Sequence, residues 1–184
     1  MMIRRKAIGT AIFICSTLLV LLSGCSGVTG KMSGAGGPPQ KMYIDATRHF
    51  AVEFPGDWEK FLDPDSDTLP GADAVGWQSP ETEGSAPVAR MAVIIPHENL
   101  DFSQTKAAIA RHLDGFTPGK EADIEVAGLR GKDLYGTNPL RQYRIVLLGD
   151  PFVRYVILYS ALPDYFETYQ DKFKDMIKSF GTLR

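Results

Sequence analysis

The chain has 184 residues, of which 44% are hydrophobic, and a formal net charge of −2 at neutral pH. This is enough material for one domain with a core of its own. Arg4, Arg5 and Lys6 account for three of the 20 basic residues, and no acidic residue precedes position 25. The remaining chain therefore carries 17 basic and 22 acidic residues. This acidic balance argues against nucleic acid as a partner, because nucleic-acid binding requires a basic surface.

The first 24 residues have the pattern of an export signal. Basic residues 4–6 precede an apolar run of 16 residues, Ala7 to Leu22, which is shorter than the roughly 20 residues that span a bilayer. The run ends at Leu22-Ser23-Gly24-Cys25. This tetrapeptide resembles the lipobox of bacterial lipoproteins, and the resemblance implies cleavage before Cys25 and a covalent lipid, including palmitate, on its thiol. The alternative is an uncleaved N-terminal membrane anchor.

Residues 25–41 are predicted to form a tether between the lipid and the domain. Residues 26–41 hold five glycines and the pair Pro38-Pro39, a composition that cannot bury a core. The predicted organisation is a signal peptide at 1–24, a lipidated tether at 25–41 and a globular domain at 42–184. The lipid anchor predicts a location at the bacterial cell membrane, facing the periplasm.

The residue after the cysteine bears on which membrane holds the protein. In lipoproteins of Gram-negative bacteria an aspartate at that position marks retention in the inner membrane. Ser26 stands there in this chain, and it favours the outer membrane if the source is Gram-negative. The expected partners are the membrane, reached through the lipid, and an envelope protein.

Short apolar runs in the domain predict an antiparallel sheet. The predicted strands are Tyr43–Asp45, His49–Phe54, Ala74–Gln78, Val88–Ile95, Ile124–Ala127, Lys132–Tyr135, Gln142–Leu148 and Phe152–Ser160. Residues 128–131 are the predicted turn of one hairpin, and 149–151 are the predicted loop of another. A three-residue loop would place Arg144 and Arg154 on one face of the sheet. Both faces of the second hairpin are apolar, so both must be covered.

Two helices supply the predicted cover. Asp101 with Gln104, and Asp164 with Glu167, have the spacing of capping boxes. The second helix, Asp164 to Phe180, carries a single apolar stripe. The stripe consists of Phe166, Tyr169, Phe173, Met176, Ile177 and Phe180. The expected fold class is α+β, an α/β/α sandwich with a central, mostly antiparallel sheet flanked by helices.

Two segments of the domain resemble those of PsbP-like domains. Residues 49–58, HFAVEFPGDW, are similar to the opening F-x-V/I-x-x-P-x-x-W of that family, and residues 173–180, FKDMIKSF, to its closing F-x-x-I-x-x-S-F. The family includes photosystem II extrinsic subunits, Mog-type proteins and bacterial lipoproteins of the DcrB group. The resemblance implies the same sandwich, used as a binding or assembly module, and it supplies no catalytic residues.

The candidate contact surface is the polar loop from Glu59 to Asp73 together with the sheet edge near Trp77 and Arg90. Arg144 and Arg154 are further candidate binding residues, as a cationic pair on an apolar face. Long basic side chains also lie at sheet rims without any ligand, and that alternative stays open.

A calcium loop is a weaker alternative. Asp63, Asp65 and Asp67 have the D-x-D-x-D spacing of such a loop, but Thr68 replaces its turn glycine and Ala74 its bidentate glutamate. No metal site or cofactor other than the lipid on Cys25 is therefore predicted.

No nucleophile and base stand in a recognisable catalytic motif. The predicted function is therefore a non-enzymatic binding or assembly module, anchored at the cell envelope. The alternative is a small envelope hydrolase or ligand-carrying protein whose site is built from scattered residues. A concave apolar pocket with convergent titratable groups would favour this alternative.

Overall fold

The structure, a computed structural model, describes residues 39–61, 69 and 71–183. The strands in these ranges are β1 (Gln40–Asp45), β2 (Phe50–Pro55), β3 (Glu59–Phe61), β4 (Ala72–Gln78), β5 (Thr82–Glu83), β6 (Ala86–Pro87), β7 (Ala89–Pro96), β8 (Thr117–Val126), β9 (Leu129–Thr137), β10 (Gln142–Leu148), β11 (Tyr155–Ala161) and β12 (Gly181–Thr182). Helix α1 spans Phe102–His112, and a 3₁₀ turn at Pro163–Tyr165 leads into α2, Phe166–Ser179.

A seven-stranded sheet in the order β3-β4-β7-β11-β10-β9-β8 forms the middle layer, and each neighbouring pair is antiparallel. All seven residues of β11 are buried, as are six of the seven in β10. These strands can be apolar on both sides because neither face reaches water.

Each face of the sheet has a separate apolar core. On one face, Ile109 of α1 and Leu113, the residue that follows the helix, pack with Ile145 and Leu158. On the other face, the six residues of the α2 stripe, all buried, pack against the sheet. A small sheet in the order β1-β2-β12 also covers this second face, through residues such as Phe50. The predicted α+β sandwich is confirmed.

The beginning of the domain differs from the prediction in two places. β1 begins at Gln40, two residues before the predicted start of the domain, because the backbone of Gln40 and Lys41 pairs with β2. The loop predicted from Glu59 to Asp73 contains β3, and Lys60 in β3 pairs with Trp77 in β4. Residues 1–38, with the signal, Cys25 and most of the tether, lie outside the described part of the chain.

The predicted pairing of β10 with β11 is wrong. Leu148 pairs with Tyr155, so the loop has six residues, 149–154, instead of three. Val153 does not join the strand, because its N–H donates to the carbonyl of Leu100 at 2.8 Å. The longer loop places Arg144 opposite Tyr159, and Arg154 lies in the loop itself. The two arginines therefore do not form a pair on one sheet face.

The hairpin of β8 and β9 turns at Ala127 and Gly128 alone, where residues 128–131 were predicted. Both turn residues have positive φ, 52° and 75°. A two-residue turn of this kind matches the twist of the strands that it joins.

Of the two predicted capping boxes, the structure contains one. Asp101 accepts a hydrogen bond from the N–H of Gln104 at 2.8 Å, and the Gln104 side chain accepts one from the N–H of Asp101 at 3.0 Å. The box at Asp164 is wrong, because that residue lies in the 3₁₀ turn and α2 begins after Tyr165 without a side-chain cap.

All described residues belong to one compact unit. Both apolar cores and all the strand pairs given above lie in this unit. Because these interactions are what holds such a domain together, we expect the segment 37–184 to fold without the first 36 residues.

Candidate interaction surfaces

Trp77 was predicted to lie at a contact surface, and the structure buries it completely. Its side chain has 0% exposure, with the ring of Phe54 stacked on it at 4.7 Å and the ring of Tyr43 edge-on at 5.5 Å. The small sheet covers the end of β4, which the sequence pattern had predicted to be exposed. Trp77 therefore belongs to the core and is not available to a partner.

Arg144 is also inside the protein. Its Nε and Nη2 atoms donate to the two carboxylate oxygens of Asp133 at 3.0 and 2.8 Å. The guanidinium group lies 5.3 Å from the ring centre of Tyr135 and 5.5 Å from that of Phe173. This arrangement explains how a charged residue that is 8% exposed can lie beneath α2.

The other two predicted arginines are more exposed but lie apart from Arg144. Arg90 is half-buried in β7, an interior strand, on the α1 side of the sheet, and its guanidinium carbon lies 5.9 Å from the ring centre of Phe61. Arg154 is exposed in the loop before β11. Since Arg144 faces α2, the four predicted binding residues do not converge on one site.

The remaining predicted site residues are Asp63, Asp65 and Asp67 of the calcium alternative and the lipidation site Cys25. All four lie outside the described residues. Within the part of the chain that the structure describes, there is no group of three His, Cys, Asp or Glu side chains arranged to hold a metal ion.

A surface that sequence reasoning missed lies on β1. Met42 and Ile44 are 61% and 60% exposed, whereas Tyr43 and Asp45, which alternate with them, point inward. β1 is an edge strand of the small sheet, paired with β2 on one side. The alternation of apolar and polar residues at 42–45 was the available signal, but it did not tell which set faces the core. We call Met42, Ile44 and the strand that carries them the β1 surface.

A polar cluster lies at the end of β1. Arg48 donates from Nη1 to Asp45 at 2.8 Å and from Nε to Asp73 at 3.0 Å, and His97 lies 3.4 Å from Asp73. Burial tends to raise the pKa of Asp45, but the hydrogen bonds from Arg48 outweigh it and the pKa is lowered. The cluster joins the turn after β1 to β4, and its polar groups bind one another.

The comparisons with known proteins identify the fold. No family model and no curated protein sequence matches the chain. Its structure is similar to the solution structure of a cyanobacterial PsbP, CyanoP from Synechocystis sp. PCC 6803. The TM-score is 0.56 at 15% identity, covering 88% of this chain and 99% of that one. The described domain therefore has a PsbP-like fold.

Two further solved structures are more distant. A crystal structure from Bacteroides thetaiotaomicron VPI-5482 has a TM-score of 0.48 at 11% identity, covering 78% of this chain and 48% of that one. LpqN of Mycobacterium tuberculosis, described as involved in cell envelope biogenesis, has a TM-score of 0.41 at 14% identity, covering 83% and 88%. None of the helices within the described residues is long and apolar enough to cross a bilayer.

Proposed function

We propose that this protein is a bacterial lipoprotein, acylated at Cys25, that binds a protein partner at the cell envelope and is not an enzyme. The lipobox-like sequence supports the anchor, and the tether supports a domain that faces the periplasm just off the membrane. The PsbP-like fold is compatible with this role but does not specify it, because fold alone does not determine function.

The observation that carries the proposal is the β1 surface. An edge strand presents unpaired backbone groups, and two large apolar side chains more than half exposed on it add an apolar contact. The expected occupant is an extended segment of an envelope protein with apolar side chains at alternate positions, which would add a strand to β1. β1 follows the predicted tether directly, so this surface would lie near the membrane.

Two carboxylates of the domain have pKa values that suit ion pairs better than acid–base catalysis. Hydrogen bonds from Arg48 lower the pKa of Asp73, and those from Lys106 lower the pKa of Glu121. A catalytic acid or base works best with a pKa near the working pH. These two carboxylates are instead held ionised, which suits ion pairs.

Acylation is tested on the protein made in a bacterial host. Mass spectrometry of the purified protein should show that residues 1–24 are missing and that lipid is attached to Cys25. The variant Cys25→Ala should leave the membrane fraction. An intact Met1, or unchanged membrane partition of Cys25→Ala, would refute the lipoprotein assignment.

Partner binding is tested by placing a photoreactive amino acid at position 42 in the full chain, followed by irradiation of intact cells. Leu140, an apolar residue that is 72% exposed in the loop between β9 and β10, provides the matched control position. We expect one defined adduct from position 42, none from position 140, and loss of the adduct when Ile44→Lys is added. Equal labelling from both positions would show that β1 is not a specific surface.

The absence of catalysis has its own test. The purified domain is assayed against generic ester, peptide and glycan substrates. Turnover that a single carboxylate substitution abolishes would overturn the binding-module proposal.

A further inference from the structure

A concave surface lies between α1 and the β8–β9 hairpin, on the opposite face of the sheet from α2. Helix α1 covers the middle of its face and leaves a cleft of about 390 Å³ beside β9. Its apolar lining consists mainly of Ala107, Ile109, Ala110, Phe116, Leu134 and Ile145. The volume is within the range of about 300–1,000 Å³ that is typical of small-molecule sites. We call this the α1 cleft.

One end of the α1 cleft is shaped by the close approach of the Phe116 ring to the backbone of Gly136. The ring of Phe116 lies over Gly136 of β9, where a Cβ atom would collide with two ring carbons. Phe116 also packs edge-on against Tyr143, with ring centres 5.7 Å apart. Any larger residue at position 136 would displace this ring, so the shape of the cleft is built into the fold.

The walls of the α1 cleft are joined by an ion pair. Lys106 of α1 donates to Glu121 of β8 at 2.9 Å, and Lys132 lies 3.6 Å from the same carboxylate. β8 has an irregular register between Pro118 and Glu121, which places Lys120 beside the cleft as well. A cleft bridged in this way suits a narrow, flexible chain better than a helix or a strand.

The charges at the rim indicate which head group the chain would carry. Lys106, Lys120 and Glu121 line the α1 cleft, and Lys132, which lies 3.6 Å from Glu121, pairs with Asp123 at 2.7 Å. Lys120 is exposed, and within the described residues no carboxylate pairs with it. The rim therefore has a cationic excess in a chain whose overall charge is negative.

We propose that the α1 cleft binds a single alkyl chain that ends in a carboxylate, as in a free fatty acid. The apolar lining holds the chain, and Lys120 attracts the carboxylate. This site goes beyond the proposed partner binding and does not depend on it, because β1 and the α1 cleft are formed by different elements.

Binding is measured by calorimetry on the segment 37–184 with octanoate, decanoate, dodecanoate and tetradecanoate, each below its micelle concentration. Burial of one CH₂ corresponds to about a fourfold gain in affinity, so each step of two carbons should strengthen binding by up to about 15-fold until the cleft is full. Nonyltrimethylammonium, with the same nine-carbon alkyl chain as decanoate and the opposite charge, should bind more weakly than decanoate. No measurable binding, or an affinity independent of chain length, would overturn the proposal.

Two variants locate the site. Ala110→Phe places a ring in the α1 cleft from an exposed helix position and should abolish decanoate binding, whereas Ala122→Phe places the same ring on the opposite sheet face and should leave it unchanged. Lys120→Glu, at an exposed position, should weaken decanoate binding at least tenfold and reduce its salt dependence. Circular dichroism and urea unfolding verify that each variant is folded.

The outcomes are separable from those of the partner proposal. Binding of decanoate that survives both Ala110→Phe and Lys120→Glu would place the ligand elsewhere and refute the α1 cleft. Ile44→Lys should not alter decanoate binding. Loss of decanoate binding in Ile44→Lys would show that the two surfaces are not independent and would refute the proposal as stated.

Discussion

Arg144 and Asp133 form a two-pronged ion pair inside the core, with Nε–Oδ1 and Nη2–Oδ2 distances of 3.0 and 2.8 Å. The two residues lie on neighbouring strands, β10 and β9, and α2 covers them. Arg144, which the sequence suggested as a binding residue, is thus part of the interior. There the stability of the fold depends on the Asp133 carboxylate as much as on the charge of Arg144.

The first prediction concerns the cost of breaking this pair. Arg144→Met leaves the Asp133 carboxylate buried without its partner and should lower the free energy of unfolding by about 3–5 kcal/mol. The double variant Arg144→Met/Asp133→Leu removes both charges and should recover most of that loss. Urea unfolding of the segment 37–184 measures both. Additive losses in the double variant would show that the two residues do not act as a pair.

The second prediction is that the contribution of Asp45 to folding stability is lost at acidic pH. The pKa of Asp45 is lowered in the folded state, because the hydrogen bonds from Arg48 outweigh the opposing effect of burial. A lowered folded-state pKa gives stability that is present above the unfolded value of about 3.9 and is lost as the pH falls through the folded value. Asp73 and His97 belong to the same cluster, and the hydrogen bond from Arg48 also lowers the pKa of Asp73.

Asp45→Asn should therefore reduce stability by about 1 kcal/mol at neutral pH, with a smaller difference from the wild type below about pH 4. Urea unfolding across that range, with the wild type and the variant in parallel, measures the difference. A difference that stays constant down to the acid limit would contradict the assignment of the charge to Asp45.

The third prediction concerns the β8–β9 turn. Ala127 has a φ of 52°, a left-handed conformation that costs a residue with a Cβ atom about 1–2 kcal/mol. Ala127→Gly should therefore raise the free energy of unfolding by about 1 kcal/mol. Ala122→Gly, the same change within β8, should lower it by about 0.5–1 kcal/mol. Thermal unfolding compares the two, and a loss of stability in Ala127→Gly would contradict the turn geometry.

The fourth prediction separates the two capping boxes that the sequence suggested. Asp101→Ala removes the hydrogen bond to the N–H of Gln104 and should cost about 1 kcal/mol, within a range of 0.5–2. Asp164→Ala should change stability by less than about 0.5 kcal/mol, because no hydrogen bond from its side chain caps α2. Equal losses in the two variants would mean that α2 begins earlier than Tyr165.

Local patterns in the sequence were enough to predict much of this fold. The apolar stripe of α2 and the two-sided apolar strands β10 and β11 follow from the periods of a helix and a strand, which are set by backbone geometry. Asp101 with Gln104 caps α1 because both partners lie within one turn of chain. These features depend on residues close together in the sequence.

Tertiary contacts decided the rest, because they depend on residues that are far apart in the chain. The N–H of Val153 bonds to Leu100 instead of joining β11, and this lengthens the loop and reverses which residues share a face with Arg144. Trp77 is buried because β1 and β2 fold over it. The same small sheet leaves Met42 and Ile44 exposed. The alternation of side chains along β1 separates them into two sets, but it does not determine which set faces the core.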